Sequence, residues 1–582
     1  MKVLLVAINS KFIHSNLAVR YLKSYTRGLD YECEIVEFSI NDLKDKIVEE
    51  IINKKPDIVG FSCYIWNIEY VKKISKLLKL VDVNIQIFAG GPEVSFDCEK
   101  FLLENSVDYI IQGEGEETYR EFIENKIKEN VSKNLKNENI DEVQNIKGIY
   151  SKYKGKIFYG GIREIMDMNN IVFPYNKDDN LDNKIVYYEA SRGCPFGCKY
   201  CLSSVDRKVR FLNIERVKKE LQFFINKKVK LIKFVDRTFN CNPKFANEIW
   251  KFLINQKEDI RTTFHFEISA DILTEEQIEM LAKSQNGRLQ FEVGVQTTNN
   301  EILKNINRHV NFHSIKTKIE EVEKVRNVKQ HLDLIAGLPG EDIKSFKKSF
   351  NEVYSIKPEE IQLGFLKLLK GSPMIREASE WGMVYSPYPP YEILKTKDIS
   401  YEELRMLKKV EKMVDKYYNT NKFNNILKYF ELLYKKPFDF YYDLAMFFER
   451  KGYFNRNISS ADYYKVFLEF NFEELKKNNE ELKEIIKFDY LRFNKKKWLP
   501  QFLYRESDKK LEKKVKKVIR DKKIIICKNI HIEKFNIDIY KFINTGIILK
   551  GSTYIAFNEE NNSEYKDITI IWEKLISEIE EK

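Results

Sequence analysis

At 582 residues the chain is longer than one ordinary core organises, so several domains are expected. Hydrophobic residues make up 43% and aromatic residues 13%, which excludes a disordered composition. The net charge of +11 is a small surplus of 99 basic over 88 acidic residues, so nucleic-acid binding does not follow from it. Met1 to Val6 has neither the length nor the cleavage site of a signal peptide, and no run reaches the roughly 18 apolar residues a spanning helix needs. A cytoplasmic protein without a membrane partner is expected. In that compartment eight cysteines, three of them crowded between Cys194 and Cys201, point to metal or catalysis before disulfides.

Residues 1–124 alternate apolar runs and amphipathic segments. Strands are expected at Val3–Ile8, Glu34–Phe38, Ile58–Ser62, Ile85–Ala89 and Tyr109–Ile111, with helices at Leu17–Tyr25, Leu43–Ile52 and Ile68–Leu80. That rhythm predicts a Rossmann-like, doubly wound α/β domain whose mouth lies beyond its strand ends, at loops starting near Asn9, Ser62, Gly90 and Gln112. Residues 125–183 read as a linker, polar from Asn125 to Lys147, with a small hairpin at Gly148–Phe158 and an extended piece at Met168–Tyr175.

Within 184–397 six more strand-like runs appear: Ile185–Ser191, Lys230–Asp236, Thr263–Ala270, Leu289–Gln296, His331–Ala336 and Ile361–Leu368. Helical stretches such as Ile214–Asn226 and Ser314–Arg326 separate them, which predicts an open (β/α)6 barrel with its chemistry at the carboxyl ends of the strands. Residues 398–582 read as a mainly helical α+β domain of packing or partner-binding character, with helices at Tyr401–Tyr418 and Asn425–Tyr434 and strands at Ile524–Cys527 and Ile547–Leu549. The basic run Lys509 to Lys523 carries apolar residues at helical spacing, as a solvated helix face does.

The strongest motif is Cys194-Pro-Phe-Gly-Cys198-Lys-Tyr-Cys201, a CxxxCxxC on the loop after the first barrel strand. Zinc would want a fourth nitrogen or sulfur ligand, and the nearest histidines, His14 and His265, are distant in sequence. Three thiolates on a cubane cluster instead leave one iron open. In this setting the motif resembles the radical S-adenosylmethionine (SAM) superfamily. The resemblance implies a [4Fe–4S] cluster on Cys194, Cys198 and Cys201, with SAM chelating the open iron. It places Tyr200 against the adenine, and it assigns SAM contacts to Asp236, Glu267, Ser269, Gln296 and Arg308. Gly294-Val295-Gln296-Thr297 with Arg308, and Asp333 to Glu341, resemble elements of coproporphyrinogen-oxidase-like members, whereas Asp236-Arg237-Thr238 departs from the usual Gly-Gly-Glu turn.

A Rossmann-like domain ahead of such a barrel resembles the cobalamin-binding radical SAM proteins, in the subgroup with an uncharacterised carboxy-terminal domain. Cobalamin contacts are then expected from Asn9, His14, Ser62, Gly90, Gly91, Pro92, Glu93, Gly113, Glu114 and Gly115. The D-x-H-x-x-G motif that supplies a lower axial histidine is absent, so cobalamin without a histidine on cobalt is expected, His14 being the one alternative.

The implied activity is reductive cleavage of SAM to a 5′-deoxyadenosyl radical, with methyl transfer to an unactivated centre as the leading outcome. Radical rearrangement or cyclisation, methylthio transfer using Cys33, Cys63 and Cys98, and a non-catalytic iron–sulfur protein are the alternatives. An electron donor such as flavodoxin or ferredoxin is expected as partner. The substrate, and residues acting on it directly, are not legible.

Overall fold

The computed structural model describes residues 1–134, 142–153, 155–257, 259–494, 499–504, 509–521, 523, 529–560 and 564–580. Its first seven strands are β1 (Lys2–Asn9), β2 (Glu32–Ser39), β3 (Ile58–Ser62), β4 (Gln86–Gly90), β5 (Tyr109–Ile111), β6 (Ile149–Tyr153) and β7 (Lys156–Tyr159). They form one sheet in the order β2-β1-β3-β4-β5-β6-β7, parallel from β2 to β5. The apolar run of β1 follows from burial on both sides. Leu4, Val6 and Ile8 enter the core on one face, and Val3, Leu5 and Ala7 the core on the other.

Asn16 starts the first helix, Leu17–Tyr25, by accepting the Val19 amide at 3.2 Å, as an N-cap does. The hairpin expected in the linker is part of this sheet, because β6 pairs antiparallel with β5 and covers an edge that would otherwise stay open. The helix Glu116–Asn134 continues well past residue 125, and Val143 and Ile146 are buried in the sheet core. Sparse apolar residues in a polar run are enough to tie its far end down. Met168–Tyr175 opens with a 3-10 turn at Met168–Asn170, where Asp167 accepts the Asn169 amide.

Six strands of the second series, β8 (Ile185–Tyr188), β11 (Leu231–Phe234), β12 (Thr263–Ile268), β13 (Leu289–Gln296), β14 (Lys329–Ala336) and β15 (Glu360–Phe365), form a sheet in the order β15-β14-β13-β12-β11-β8. Between them a two-strand bridge, β9 (Ser191–Arg192) with β10 (Arg210–Phe211), closes the base of the cysteine loop. Several strands end earlier than their apolar runs suggest. Beyond Tyr188 and Phe234 the chain leaves the ladder because Asp236 accepts from the Ala190 amide at 3.0 Å and the Ser191 hydroxyl at 2.6 Å. Phe266 and Phe291 pack on Trp250 of the helix Pro243–Ile254, while Lys233, His265, Glu267 and Glu292 on the opposite pleat border an internal cavity. A short hairpin, β16 (Val384–Tyr385) with β17 (Ile393–Lys395), completes this part.

The chain divides into two compact units, residues 1–349 with 363–404, and residues 350–362 with 405–582. The second is mainly helical, built on stacked rings such as Phe430, Phe440, Phe467 and Phe470. Buried Asp489 accepts from the amides of Asn425 and Ile426, each at 3.0 Å, and so caps the helix Asn424–Glu431. Its three-stranded sheet is β18 (Ile530–Ile537), β19 (Lys550–Asn558) and β20 (Tyr565–Asp567). The strand expected at Ile547–Leu549 begins at Lys550, and the one at Ile524–Cys527 lies outside the described residues. The basic run forms the helix Lys509–Asp521, with Val515 and Ile519 buried beside Trp572. Among the described residues no helix is long and apolar enough to cross a membrane.

Candidate functional site

The cysteine loop leaves β8 through Gly193, whose φ of +94° and a Cβ that would stand 2.5 Å from the Lys208 carbonyl both require glycine. Backbone bonds then hold the loop. The Cys194 amide reaches the Asp206 carbonyl at 3.0 Å, the Lys199 amide the Ile306 carbonyl at 3.0 Å, and Asn307 Nδ2 the Gly197 carbonyl at 2.7 Å. All three thiols are free, Cys194 and Cys198 buried and Cys201 partly so. Burial pushes the Cys198 thiol up, Arg308 pulls it down, and Cys201 and Cys194 raise it again. The thiols thus feel one another's charge, as ligands sharing a cationic cluster do. Among the described residues no three His, Cys, Asp or Glu side chains converge for a single metal ion. A cubane spreads its thiolates over three irons, so the donor set fits the cluster and not zinc.

Around this loop stand groups with unused valence. Gln296 adopts φ +70° with its Oε1 unpartnered, and the buried Asp333 Oδ1 and Arg308 Nε are unpartnered too. Arg308 donates to the Gly294 carbonyl at 2.5 Å and faces Tyr200 and Cys198. Orphaned polar atoms facing a cluster loop suit a polar ligand that satisfies them. Asp236 behaves differently. It is fully buried, with burial raising its carboxyl to about 7, and both its oxygens are occupied in pinning the cysteine loop to β11. Ser269 donates its amide to Asn240 Oδ1 at 2.9 Å and its hydroxyl to Asp271 Oδ1 at 2.5 Å.

A cavity of about 1010 Å³ opens between the amino-terminal sheet and the barrel. Ligand pockets span roughly 300–1,000 Å³, so this one is at the size a large ligand needs. Asn9, His14, Ser62, Gly90, Gly91, Pro92, Glu93, Gly113, Glu114 and Gly115 all border it, and so does Glu267. Tyr200, Asp236, Ser269, Gln296 and Arg308 do not. Gly91 has φ +115° and would place a Cβ 2.5 Å from the Cys63 carbonyl, so glycine keeps this wall open. Tyr64 and Trp66 stack face to face, centroids 4.5 Å apart, on the same wall. Such a broad cradle of backbone and flat rings fits a corrin.

Several of these residues are also tied to protein groups, Asn9 and Ser62 through Asn16 among them. His14 Nδ1 is 2.7 Å from the Tyr187 hydroxyl on β8, and burial lowers its pKa. Glu93 accepts the Tyr391 hydroxyl at 2.6 Å. Glu114 bonds Arg210 at 2.7 Å and the Met166 amide at 3.1 Å, and burial is outweighed there by Arg210 and Arg192, which hold the carboxyl below its usual range. The sequence reading missed Glu189, Arg192, Lys233, Arg237, His265 and Glu292, all bordering the cavity. For Lys233, His265 and Glu292 the signal was present as polar residues at alternate positions of apolar strands.

Three family models match the chain: B12 binding domain over residues 3–123, Radical SAM superfamily over 188–353, and Protein of unknown function (DUF4080) over 379–557. The chain carries a B12 binding domain followed by a radical SAM domain. A [4Fe–4S] cluster, SAM and cobalamin are the cofactors of that domain pair. Among relatives, the uncharacterized methyltransferase PH0819 of Pyrococcus horikoshii is 30% identical over 40% of this chain and 51% of its own. The cobalamin-dependent radical SAM methyltransferase TokK of Streptomyces tokunonensis is 21% identical over 58% and 49%. This radical SAM protein thus spans about half the length of the curated relatives it matches. Its fold is shared with OxsB bound to aqua-cobalamin and SAM, at TM-score 0.55 and 17% identity over 90% of this chain and 81% of that one. The methyltransferase TsrM of Kitasatospora setae also matches, at TM-score 0.55 and 14% identity over 67% and 78%.

Proposed function

We propose that this protein is a cobalamin-dependent radical SAM methyltransferase acting on an unactivated substrate centre. The observation that carries the reading is the shared cavity, bordered both by the loops of the amino-terminal sheet and by barrel residues such as Lys233 and Glu267. A [4Fe–4S] cluster with SAM, held beside this cavity, would supply a 5′-deoxyadenosyl radical, and cobalamin bound in the cavity would supply a methyl group. Cys194, Cys198 and Cys201 hold the cluster; Arg308, Gln296, Glu267, Tyr200 and Ser269 are assigned to SAM. Asp236 positions the cysteine loop and needs no SAM contact for that role. The glycine-rich loops at Gly90, Gly91, Gly113 and Gly115 are assigned to cobalamin, with His14 engaged by Tyr187 rather than reserved for cobalt. Two relatives named as methyltransferases support this direction of the chemistry. An external one-electron donor of the flavodoxin or ferredoxin type completes the system.

Methylthio transfer is not favoured, because Cys63 and Cys98 lie in the core on one face of the amino-terminal sheet and Cys33 packs on the other. The three cannot meet on a second cluster. The test uses anaerobically reconstituted protein, methyl-labelled SAM and a cell extract as substrate source. Label in a product, with 5′-deoxyadenosine and S-adenosylhomocysteine in about equal amounts, is expected, and none in a Cys198→Ala control. Substrate-dependent 5′-deoxyadenosine without S-adenosylhomocysteine would replace methylation by rearrangement or cyclisation.

A further inference from the structure

The inside of the barrel holds more charge than the assigned cofactor contacts use. Lys233 on β11 is the register partner of His265 on β12, and Glu267 on β12 is that of Glu292 on β13, so the four project into the lumen from three adjacent strands. Glu267 lies nearest the strand ends and belongs with the SAM contacts. Lys233 and His265 stand deeper, and Glu292 reaches back to His265, whose Nε2 is 3.1 Å from Glu292 Oε2.

Two features of this deeper group call for a ligand. Among the described residues the Lys233 ammonium has no hydrogen-bond or ion-pair partner, although it borders the cavity. His265 is only 2% exposed and also borders the cavity, yet neither ring nitrogen makes a well-directed hydrogen bond, the Nε2 contact with Glu292 being an ion-pair distance only. A buried polar atom without a partner is destabilising, so it is retained where something else satisfies it. The charges around it are divided. His265 holds the Glu292 carboxyl below its usual range, against the opposing effect of burial, which keeps it anionic at neutral pH. His331 beyond it is held neutral by burial, its pKa lowered to about 4. The Lys233 cation and the Glu292 anion therefore line the same space from the strands either side of His265, together with Arg237 and Glu267.

We propose that Lys233, His265 and Glu292 form the substrate subsite of this cavity and that it takes a free α-amino acid, the carboxylate on Lys233 and the ammonium on Glu292. His265 holds Glu292 in place and offers its free ring nitrogen to the same head group. A zwitterion matches the cation and the anion together, whereas a simple amine or acid matches only one of them. The inference rests on the cavity being the reaction chamber. It assigns the substrate's head group and leaves the reacting carbon in the side chain, towards the amino-terminal loops.

The test is equilibrium dialysis of full-length, anaerobically reconstituted protein against each of the twenty common amino acids. For any that binds, the decarboxylated amine and the deaminated acid are compared. At least one amino acid should bind saturably and at least tenfold more tightly than either truncated form. Lys233→Met should abolish the preference over the amine, and Glu292→Gln the preference over the acid, each weakening the amino acid at least tenfold. Glu292→Asp should recover part of the loss, and SAM and cobalamin should load as in the wild type. No saturable binding by any of the twenty would overturn the proposal, as would variants that lower SAM loading to the same extent. Amino-acid binding without S-adenosylhomocysteine formation would keep the subsite and remove the methyltransferase reading; the reverse result would do the opposite.

Discussion

Glu267 shows how one position on a barrel strand carries two consequences. Its carboxyl is buried beside the cavity, and burial, opposed by Arg237 and then reinforced by Glu292, raises it to about 7. A carboxyl raised in the folded state binds its proton more tightly there than in the unfolded chain. Its favourable contribution is therefore complete below its ordinary value of about 4.5 and is lost as pH rises through about 7. Measured without cofactors, the melting temperature of the wild type relative to Glu267→Gln should fall between about pH 4.5 and pH 7 and level off above. A difference that is flat across that window would show Glu267 to be ionised in the fold. At this scale the two kinds of site residue differ in legibility. The cysteines could be read from spacing alone, since one short loop holds all three. Lys233, His265 and Glu292 lie on three strands up to 59 residues apart, and only the pleat and register bring them together.

At the scale of elements, the strand-to-helix turns do the positioning. The turn after β4 is built on Gly91, where both the positive φ and the approach to the Cys63 carbonyl exclude a side chain. Gly91→Ala should cost about 1–3 kcal/mol of backbone strain and push the β3 and β4 loops apart. Cobalamin loading, read from visible absorbance, should drop at least tenfold while iron and sulfide per chain stay at the wild-type value. Equal loss of both would mean that the turn supports the whole unit and not the cobalamin wall. Helix and strand positions in this domain were readable because helices cover both sheet faces, so the inner strands β1, β3 and β4 are largely apolar runs. The hairpin β6-β7 was readable as a hairpin but not as an edge of this sheet, because pairing with β5 is a non-local contact that leaves no local pattern.

For the molecule as a whole, the decisive contact is the charge network between the amino-terminal loops and the base of the cysteine loop. Arg192 reaches Glu116 at 2.5 Å and Glu189 at 3.0 Å, and Arg210 reaches Glu114 at 2.7 Å and Asp206 at 2.8 Å. Arg192 is 14% exposed and Glu116 6%, so breaking the pair leaves carboxylates buried without a partner. Arg192→Met should cost about 3–5 kcal/mol in denaturant unfolding, the range for one missing partner of a buried pair. Arg192→Met combined with Glu116→Gln should recover part of that loss; no recovery would place the effect in packing rather than charge.

Sequence alone determined the kinds of domain, their order, and the crowding of three cysteines on one short loop. Each of these depends on local periodicity or on residues a few positions apart, where the chain's own geometry sets the outcome. The tertiary structure decided what the strand ends face. Asp236 became a loop anchor because β8 and β11 are neighbours, and Glu114 an inter-domain ion pair because Arg210 stands opposite it. The ten glycine-rich loop residues and the polar lumen of the barrel came to border one cavity. Those assignments depend on which segments pack together, and burial free energy summed over the two sheets, not any local motif, selects that packing.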